Sequence, residues 1–393
     1  MKRRLLPILM TLVLVCALPI WAAFVTSGDV TNPLVSTAGA TLPDLQAKID
    51  AAADNATITL DSDTTITETL VITSKTLTLD LNGCTLRMTG TGSVLKVSGR
   101  ATLTITDSSA AKSGTITGGN AEDGDGGGVC VEAYATLEMT GGCITDCHAS
   151  YGGGGIYSYE NLYMGGTAKI EKCTSKWGSD DAIWNREKCN IYADGGTVDG
   201  TVNNQGTIRR SEGAAAETVF NGTVYNRSAG TIIAGIYNET VENNGTITGG
   251  TFWGTVTNKK SAWGNEAGTI RGGTFAVTFD RGDGTKTEPK LVPWNDKVPR
   301  PTSDPEKSGH TFVGWYLGDA LYDFNTPVTA PLTLTARWKE VPSSGGNYYY
   351  HPTTDTKTDD AKGSPKTADP GVALYAALSI LSLTGLTCIT KKR

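Results

Sequence analysis

The chain has 393 residues, with 34 basic and 40 acidic side chains and a formal net charge of −6. The sequence has no extended stripe of basic residues that could neutralise phosphates, which argues against nucleic acid as a partner. Only 38% of the residues are hydrophobic and 48 are glycine, a composition that argues against packed helices and favours many short strands joined by turns.

The first predicted element is an export signal at residues 1–23. Three basic residues at positions 2–4 precede an apolar stretch at residues 5–18, and the small residues Ala22 and Ala23 follow it. This arrangement is typical of a secretory signal peptide. We therefore expect the chain to be exported.

An amphipathic helix is predicted within residues 41–53. Its opening residues, Thr41 to Asp44, have the character of a helix-capping sequence. Four apolar residues share one face of this helix: Leu42, Leu45, Ile49 and Ala53. We expect the helix to cap one end of the repetitive region that follows.

Residues 54–275 are built from repeats. The equivalent leucines Leu77, Leu103, Leu137 and Leu162 are separated by 26, 34 and 25 residues, and Val129, Ile156 and Ile183 are each 27 apart. A period of this size, with alternating apolar residues broken by glycine and asparagine, predicts a solenoid of about nine stacked β-coils. A single coil cannot bury its apolar face alone, so equivalent side chains should stack in columns.

The helix and repeats at residues 41–275, with phrases such as LDLNGCTL and GGGIYS, resemble right-handed parallel β-helix proteins of the pectate-lyase-like class. The resemblance implies an all-β fold but says little about activity. A β-sandwich is the alternative, although the in-register period favours the β-helix.

Six cysteines lie outside the two end segments: Cys84, Cys130, Cys143, Cys147, Cys173 and Cys189. An even number in an exported protein permits up to three disulfides, whose connectivity the sequence does not give. Cys147 and Cys173 are 26 residues apart, so we expect them to occupy equivalent positions and either stack or pair.

The longest repeat contains an acidic insertion at residues 120–126. Its carboxylates, Glu122, Asp123 and Asp125, could bind Ca²⁺, which prefers oxygen ligands. Alternating aspartate and glycine is also ordinary turn chemistry, so a solvated loop is the alternative. The sequence identifies no catalytic residue, no cofactor-binding residue and no other metal site.

A second module is predicted at residues 276–340. It resembles the Listeria–Bacteroides repeat, a small β-grasp-like domain of bacterial surface proteins, in these residues: Gly309, Phe312, Gly314, Trp315, Tyr322, Phe324, Leu332, Leu334, Ala336 and Trp338. We expect Phe312 and the two tryptophans to form its core. Its first hairpin turn carries Arg281-Gly282-Asp283, which matches an integrin-binding tripeptide, although glycine and aspartate also suit such a turn.

The last predicted elements are a flexible tether at residues 341–363 and a sorting segment at 364–393. The sorting segment combines an apolar run at 371–390, long enough to cross a bilayer, with a basic end and a polar motif: Ser364, Pro365, Lys366, Thr367 and Ala368. It resembles the LPxTG signal of Gram-positive surface proteins.

The resemblance implies cleavage by a sortase between Thr367 and Ala368 and attachment to peptidoglycan at the cell surface. The chain would then contact the membrane only through residues 371–390, before processing. A simple membrane anchor is the alternative.

These elements together predict a wall-anchored adhesin or display protein that binds glycans or host and matrix proteins along the faces of the β-helix. A surface polysaccharide lyase or glycosidase is the alternative, and a spacer without ligand is a third. Three or more acids converging with a lysine or arginine would favour the enzyme, whereas threonine, serine and asparagine would favour the binder.

Overall fold

The computed structural model describes residues 45–176, 180–260 and 267–342, and it is nearly all-β. The predicted signal peptide, sorting segment and almost all of the tether lie outside these residues. None of the helices in the described ranges is long and apolar enough to cross a membrane. The apolar run at 371–390, which carries the predicted span, lies outside them.

The described chain begins with helix α1 (Leu45–Ala51), which covers the first coil. Leu45 and Ile49 are buried against that coil. The side chain of Gln46 pairs with the backbone of Val71, donating to its carbonyl at 3.0 Å and accepting from its N–H at 2.8 Å. Gln46 therefore supplies the partner that the open edge of the first coil lacks, as a capping helix should.

The C-terminus of α1 is held by Lys75, whose Nζ donates to the carbonyls of Ile49, Asp50 and Ala52 at 2.9–3.0 Å. A cation at this end satisfies the last carbonyls of the helix. The prediction that Ala53 lies on the buried helix face was wrong. Ala53 follows the end of the helix and is exposed, and Ala52 packs against the core instead.

The coils have three faces, whose strands stack in parallel. The first face contains β1 (Ala56–Thr59), β4 (Thr76–Asp80), β7 (Thr102–Thr106), β11 (Thr136–Met139), β15 (Asn161–Glu171), β18 (Asn190–Val198), β20 (Thr207–Arg209), β23 (Thr231–Ile232), β26 (Thr246–Ile247) and β29 (Thr269–Ile270). The second face shares β15 and β18 and adds β2 (Thr64–Ile66), β5 (Thr85–Met88), β8 (Thr115–Thr117), β12 (Cys143–Thr145), β21 (Val219–Phe220), β24 (Ile236–Tyr237), β27 (Thr251–Phe252) and β30 (Thr274–Asp280).

The third face is a separate nine-stranded sheet. Its strands are β3 (Leu70–Thr73), β6 (Leu95–Ser98), β10 (Val129–Val131), β14 (Ile156–Ser158), β17 (Asp181–Asn185), β19 (Thr201–Asn204), β22 (Val224–Asn226), β25 (Val241–Asn243) and β28 (Val256–Asn258). Three short strands form a small extra sheet at one corner: β9 (Asn120–Ala121), β13 (His148–Ala149) and β16 (Thr174–Ser175).

The predicted columns are confirmed by the strand register. Leu77 pairs with Leu103, Leu103 with Leu137 and Leu137 with Leu162. The column continues through Ile191, Ile208, Ile232, Ile247 and Ile270. On the third face, Val129, Ile156 and Ile183 are likewise in register. This coil-on-coil parallel pairing agrees with the right-handed β-helix and excludes the β-sandwich, whose strands pair antiparallel.

A buried ladder of asparagines runs along the end of the third face. Each side-chain amide donates to the carbonyl oxygen of the next asparagine at 2.7–2.8 Å, in the order Asn185, Asn204, Asn226, Asn243 and Asn258. The first four are fully buried. Since a buried amide without a partner is costly, the ladder fixes the register of successive coils.

We predict that Asn226→Ala lowers the free energy of unfolding by about 2–3 kcal/mol, because it removes two hydrogen bonds of the buried ladder, the one from Asn204 and the one to Asn243. Asn258→Ala, at the exposed end of the same ladder, removes only the hydrogen bond from Asn243; it is the matched control and should cost about 1 kcal/mol. Urea denaturation followed by circular dichroism measures both. Equal costs would show that the ladder does not act as a connected unit.

The second face ends in a column of buried aromatic rings that leads into the second module. Phe220, Tyr237, Phe252 and Phe275 stack with ring centroids 4.9–5.3 Å apart. Phe275 lies in β30, which pairs with β27 of the last complete coil and then continues as the first strand of the second module. One strand therefore belongs to both modules, and their apolar cores form one cluster.

The second module has a mixed sheet of β30, β31 (Lys290–Pro293), β32 (His310–Leu317), β33 (Ala320–Leu321) and β34 (Leu332–Glu340). The strand order is β31-β30-β34-β32-β33, with β30 and β34 parallel and the other pairs antiparallel. This order is β-grasp-like, as predicted, although the described residues between β31 and β32 form no helix. Phe312 packs edge-to-face against Trp315 and Trp338, with centroids 5.5 Å apart in both pairs.

Because β30 belongs to both modules, we predict that a packing defect in this strand lowers the local stability of both. Phe275→Ala should remove about 3–4 kcal/mol of packing and lower hydrogen-exchange protection in both β27 and β34. Val328→Ala, a buried change within the second module, should lower protection in β34 and leave β27 unchanged. Unchanged protection of β34 in Phe275→Ala would contradict this prediction.

Candidate functional site

The outward side chains of the third face carry the greatest variety of chemical groups. Because successive strand residues point to opposite faces, one residue per strand points outward between the buried columns. The register places these residues in one line along the coils: Val71, Lys96, Cys130, Tyr157, Trp184, Asn203 and Tyr225.

A cleft of about 430 Å³ lies over the first part of this line. Val71, Lys96 and Cys130 line it from the strands. The acidic insertion lines it from the side, through Glu122, Asp123 and Asp125. The insertion that lengthens one repeat therefore builds one side of a concave surface, and its volume lies within the range of small-ligand sites.

An aromatic cluster continues the cleft along the face. We use this name for Tyr157, Tyr159, Trp184 and Arg186. The rings of Tyr157 and Tyr159 are 4.9 Å apart, and Tyr157 lies nearly parallel to Trp184 at 6.2 Å. Arg186 lies 5.2 Å from the centre of the Tyr159 ring and donates to the Tyr157 hydroxyl at 3.2 Å. Tyr157 is buried, whereas Tyr159 is 36% exposed and available to a ligand.

Asp125 connects the cleft to the aromatic cluster. The Tyr159 hydroxyl donates to its carboxylate at 3.2 Å. Burial raises the pKa of Asp125, and the opposing effects of the Tyr159 hydroxyl and the Arg186 charge do not cancel that rise. Burial also raises the pKa of the Tyr157 phenol. The tyrosine is therefore a neutral hydrogen-bonding group at physiological pH.

Two further polar groups of the cleft, Lys96 and Cys130, are already engaged or unreactive. Lys96 forms an ion pair with Glu132 at 2.6 Å, and this contact raises the pKa of the lysine. Burial raises the pKa of Cys130 to about 11, so its thiol is protonated and poorly nucleophilic near neutral pH. These residues suit binding better than covalent catalysis.

The calcium hypothesis stays a prediction. Glu122 accepts a hydrogen bond from Asn120 at 2.9 Å, and Asp125 accepts from Tyr159. In the part of the chain that the structure describes, no three histidine, cysteine or acidic side chains are grouped as a metal would require. The three acidic residues thus share a cleft without forming a ready ligand set.

The six cysteines are free thiols in the structure. Cys147 and Cys173 are both buried, and each thiol donates to a backbone carbonyl at 3.3 Å, that of Thr145 for Cys147 and that of Glu171 for Cys173. They occupy successive coils next to the paired residues His148 and Thr174. Of the two predicted arrangements, stacking is the one observed.

The aromatic cluster was not predicted from the sequence, although a signal was present. Trp184 follows Tyr157 by 27 residues, the same step as the buried pair Ile156 and Ile183. A repeat that brings Ile156 and Ile183 into one buried column also brings their sequence neighbours, Tyr157 and Trp184, together in the adjacent column. The predicted sorting residues, at 364–368, lie outside the described residues.

Comparison with known proteins finds one family. The Listeria-Bacteroides repeat domain matches residues 275–337. The chain therefore contains this repeat, as its sequence predicted at residues 276–340. Such repeats are typical of surface proteins. Neither the curated proteins nor the solved structures give a match.

The raised pKa of Asp125 predicts a pH dependence. A carboxyl group whose pKa is higher in the folded state than its ordinary value of 3.8 binds its proton more tightly when folded. Its contribution to stability is present at low pH and is lost as the pH rises through the folded-state pKa. Asp125→Asn should therefore gain stability relative to the wild type between about pH 4 and pH 7.

Urea denaturation across this pH range measures the difference between the two proteins. Asp123→Asn, in the same loop, controls for the loss of one negative charge. A stability difference between Asp125→Asn and the wild type that stays constant with pH would contradict the effect of burial.

Proposed function

We propose that this is a wall-anchored surface protein that binds glycan chains in the cleft and aromatic cluster of the third face. In this proposal a sortase reads residues 364–368 and attaches the protein to peptidoglycan. The β-helix then acts as a rigid rod that presents its third face to ligands outside the cell. The Listeria-Bacteroides repeat, typical of surface proteins, supports this location.

The observation that carries the proposal is the continuity of the cleft with the exposed ring of Tyr159. Sugar rings present apolar C–H groups on one side and hydroxyls around the edge. An aromatic ring offers a surface for the C–H groups, and fixed polar groups such as Asp125 and Arg186 can bind the hydroxyls. Because Asp125 and Arg186 both contact Tyr159, these polar groups are already positioned around the ring.

A glycan array probed with the full chain tests the proposal. Once a bound glycan is found, Tyr159→Ala should weaken its binding about 10-fold, because it removes the stacking surface. Tyr159→Phe keeps the ring and loses only the hydrogen bond to Asp125, so it should retain more of the affinity.

Tyr134→Ala is the matched control, since Tyr134 is 73% exposed and also lies under an arginine, Arg100, but outside the cleft. It should bind as the wild type does. Loss of binding in Tyr134→Ala equal to that in Tyr159→Ala would contradict the proposed location. The absence of binding to any glycan would leave the spacer role as the better explanation.

A polysaccharide-cleaving enzyme is the second candidate, because three acids and Lys96 line one cleft. It ranks second because Thr69, Thr91 and Ser93 line the same cleft and Lys96 is held in an ion pair by Glu132. Glycoside hydrolysis needs one protonated and one ionised carboxyl, and the raised pKa of Asp125 suits the protonated member. Reducing-sugar release from a polysaccharide panel separates the candidates. Release that Asp125→Asn abolishes would favour the enzyme, whereas binding without release is the expected result.

A further inference from the structure

The second module presents an exposed hairpin tip between β30 and β31. Asp280 and Lys286 form an antiparallel bridge at its base, and the N–H of Arg281 donates to the carbonyl of Thr285 at 2.9 Å. Arg281, Gly282 and Asp283 are the first residues beyond Asp280, and all three are exposed. The tripeptide noted in the sequence thus lies at the apex of a turn, where a large partner can reach it.

The backbone of the tip is held in one conformation. Gly282 has a φ of +70°, which favours glycine, and its N–H donates to Asp280 at 2.9 Å. The indole N–H of Trp338 donates to the Arg281 carbonyl at 2.8 Å, which ties the tip to the core of the module. A fixed loop loses less conformational entropy on binding than a mobile one.

The two charged side chains of the tip remain available. Across residues 45–176, 180–260 and 267–342, the guanidinium of Arg281 makes no hydrogen bond or ion pair. One carboxylate oxygen of Asp283 accepts from the backbone and hydroxyl of Thr285 at 2.8 and 2.6 Å. The other oxygen accepts no hydrogen bond from the described residues. The Thr285 contacts lower the pKa of Asp283, so the carboxyl is ionised at neutral pH.

We propose that Arg281-Gly282-Asp283 is a docking tip for a host-cell receptor of the integrin type. Such a receptor would hold a divalent cation that takes the free oxygen of Asp283, since Mg²⁺ and Ca²⁺ prefer carboxylate ligands. An acidic side chain of the receptor would pair with the guanidinium of Arg281. This tip is separate from the cleft of the third face and would bind a different class of partner.

The test measures binding of the full chain to the purified ectodomain of an integrin that reads this tripeptide, in millimolar Mg²⁺, by biolayer interferometry. We expect saturable binding that a short linear peptide with the same three residues displaces and that EDTA abolishes. Asp283→Glu, which keeps the charge but moves the carboxylate by one methylene, should weaken binding more than 10-fold. Arg281→Ala should do the same.

Asp319→Glu is the matched control, because Asp319 is fully exposed elsewhere on the same module. It should bind as the wild type does. Absence of binding, binding that persists in EDTA, or equal affinity of Asp283→Glu and wild type would overturn the proposal. Circular dichroism verifies that the variants fold, and unchanged glycan binding by Asp283→Glu separates this tip from the third-face cleft.

Discussion

The whole structure depends on the in-register stacking of inward side chains from one coil to the next. A single coil of about 25 residues has too little apolar surface to fold alone, so each coil is stable only between neighbours that present matching residues at matching positions. Aliphatic columns supply the apolar burial. The asparagine ladder, from Asn185 to Asn258, adds a directional requirement, because an amide displaced by one position would lose its partner.

The same stacking creates two exposed ends, and at each end the chain pairs part of the edge backbone. At the first coil, the side chain of Gln46 replaces a missing strand by pairing with Val71. After the last coil, β30 leaves the β-helix and pairs with β31 and β34 of the second module. The Listeria-Bacteroides repeat therefore covers the second-face edge of the last coil, which reduces the risk of edge-to-edge aggregation there.

Stacking also organises the outer surface. The strand register places one outward residue of successive third-face strands in a line from Val71 to Tyr225. The chemistry of this line can therefore change from one coil to the next. In the middle of this line the residues become aromatic, and beside it the insertion at residues 120–126 lines a cleft. The rod is thus a scaffold on which a few substitutions and one insertion create a binding surface without disturbing the buried columns.

The sequence by itself determined the fold class, the coil period and the second module. These features can be read from residue spacing, because buried side chains and tight turns restrict residue identity at fixed intervals. The coil period follows from the spacing of Leu77, Leu103, Leu137 and Leu162, and the second module from the motif around Trp315. Only the tertiary structure decided that Asp125 contacts Tyr159, that Arg186 contacts the same ring, and that the Arg281 hairpin tip is fixed by Trp338. These contacts join residues 34, 27 and 57 positions apart. The first two are made by surface side chains, where many residue types are tolerated, so no local pattern marks them. The repeat motif marks Trp338 as a core residue but does not show which carbonyl its indole contacts.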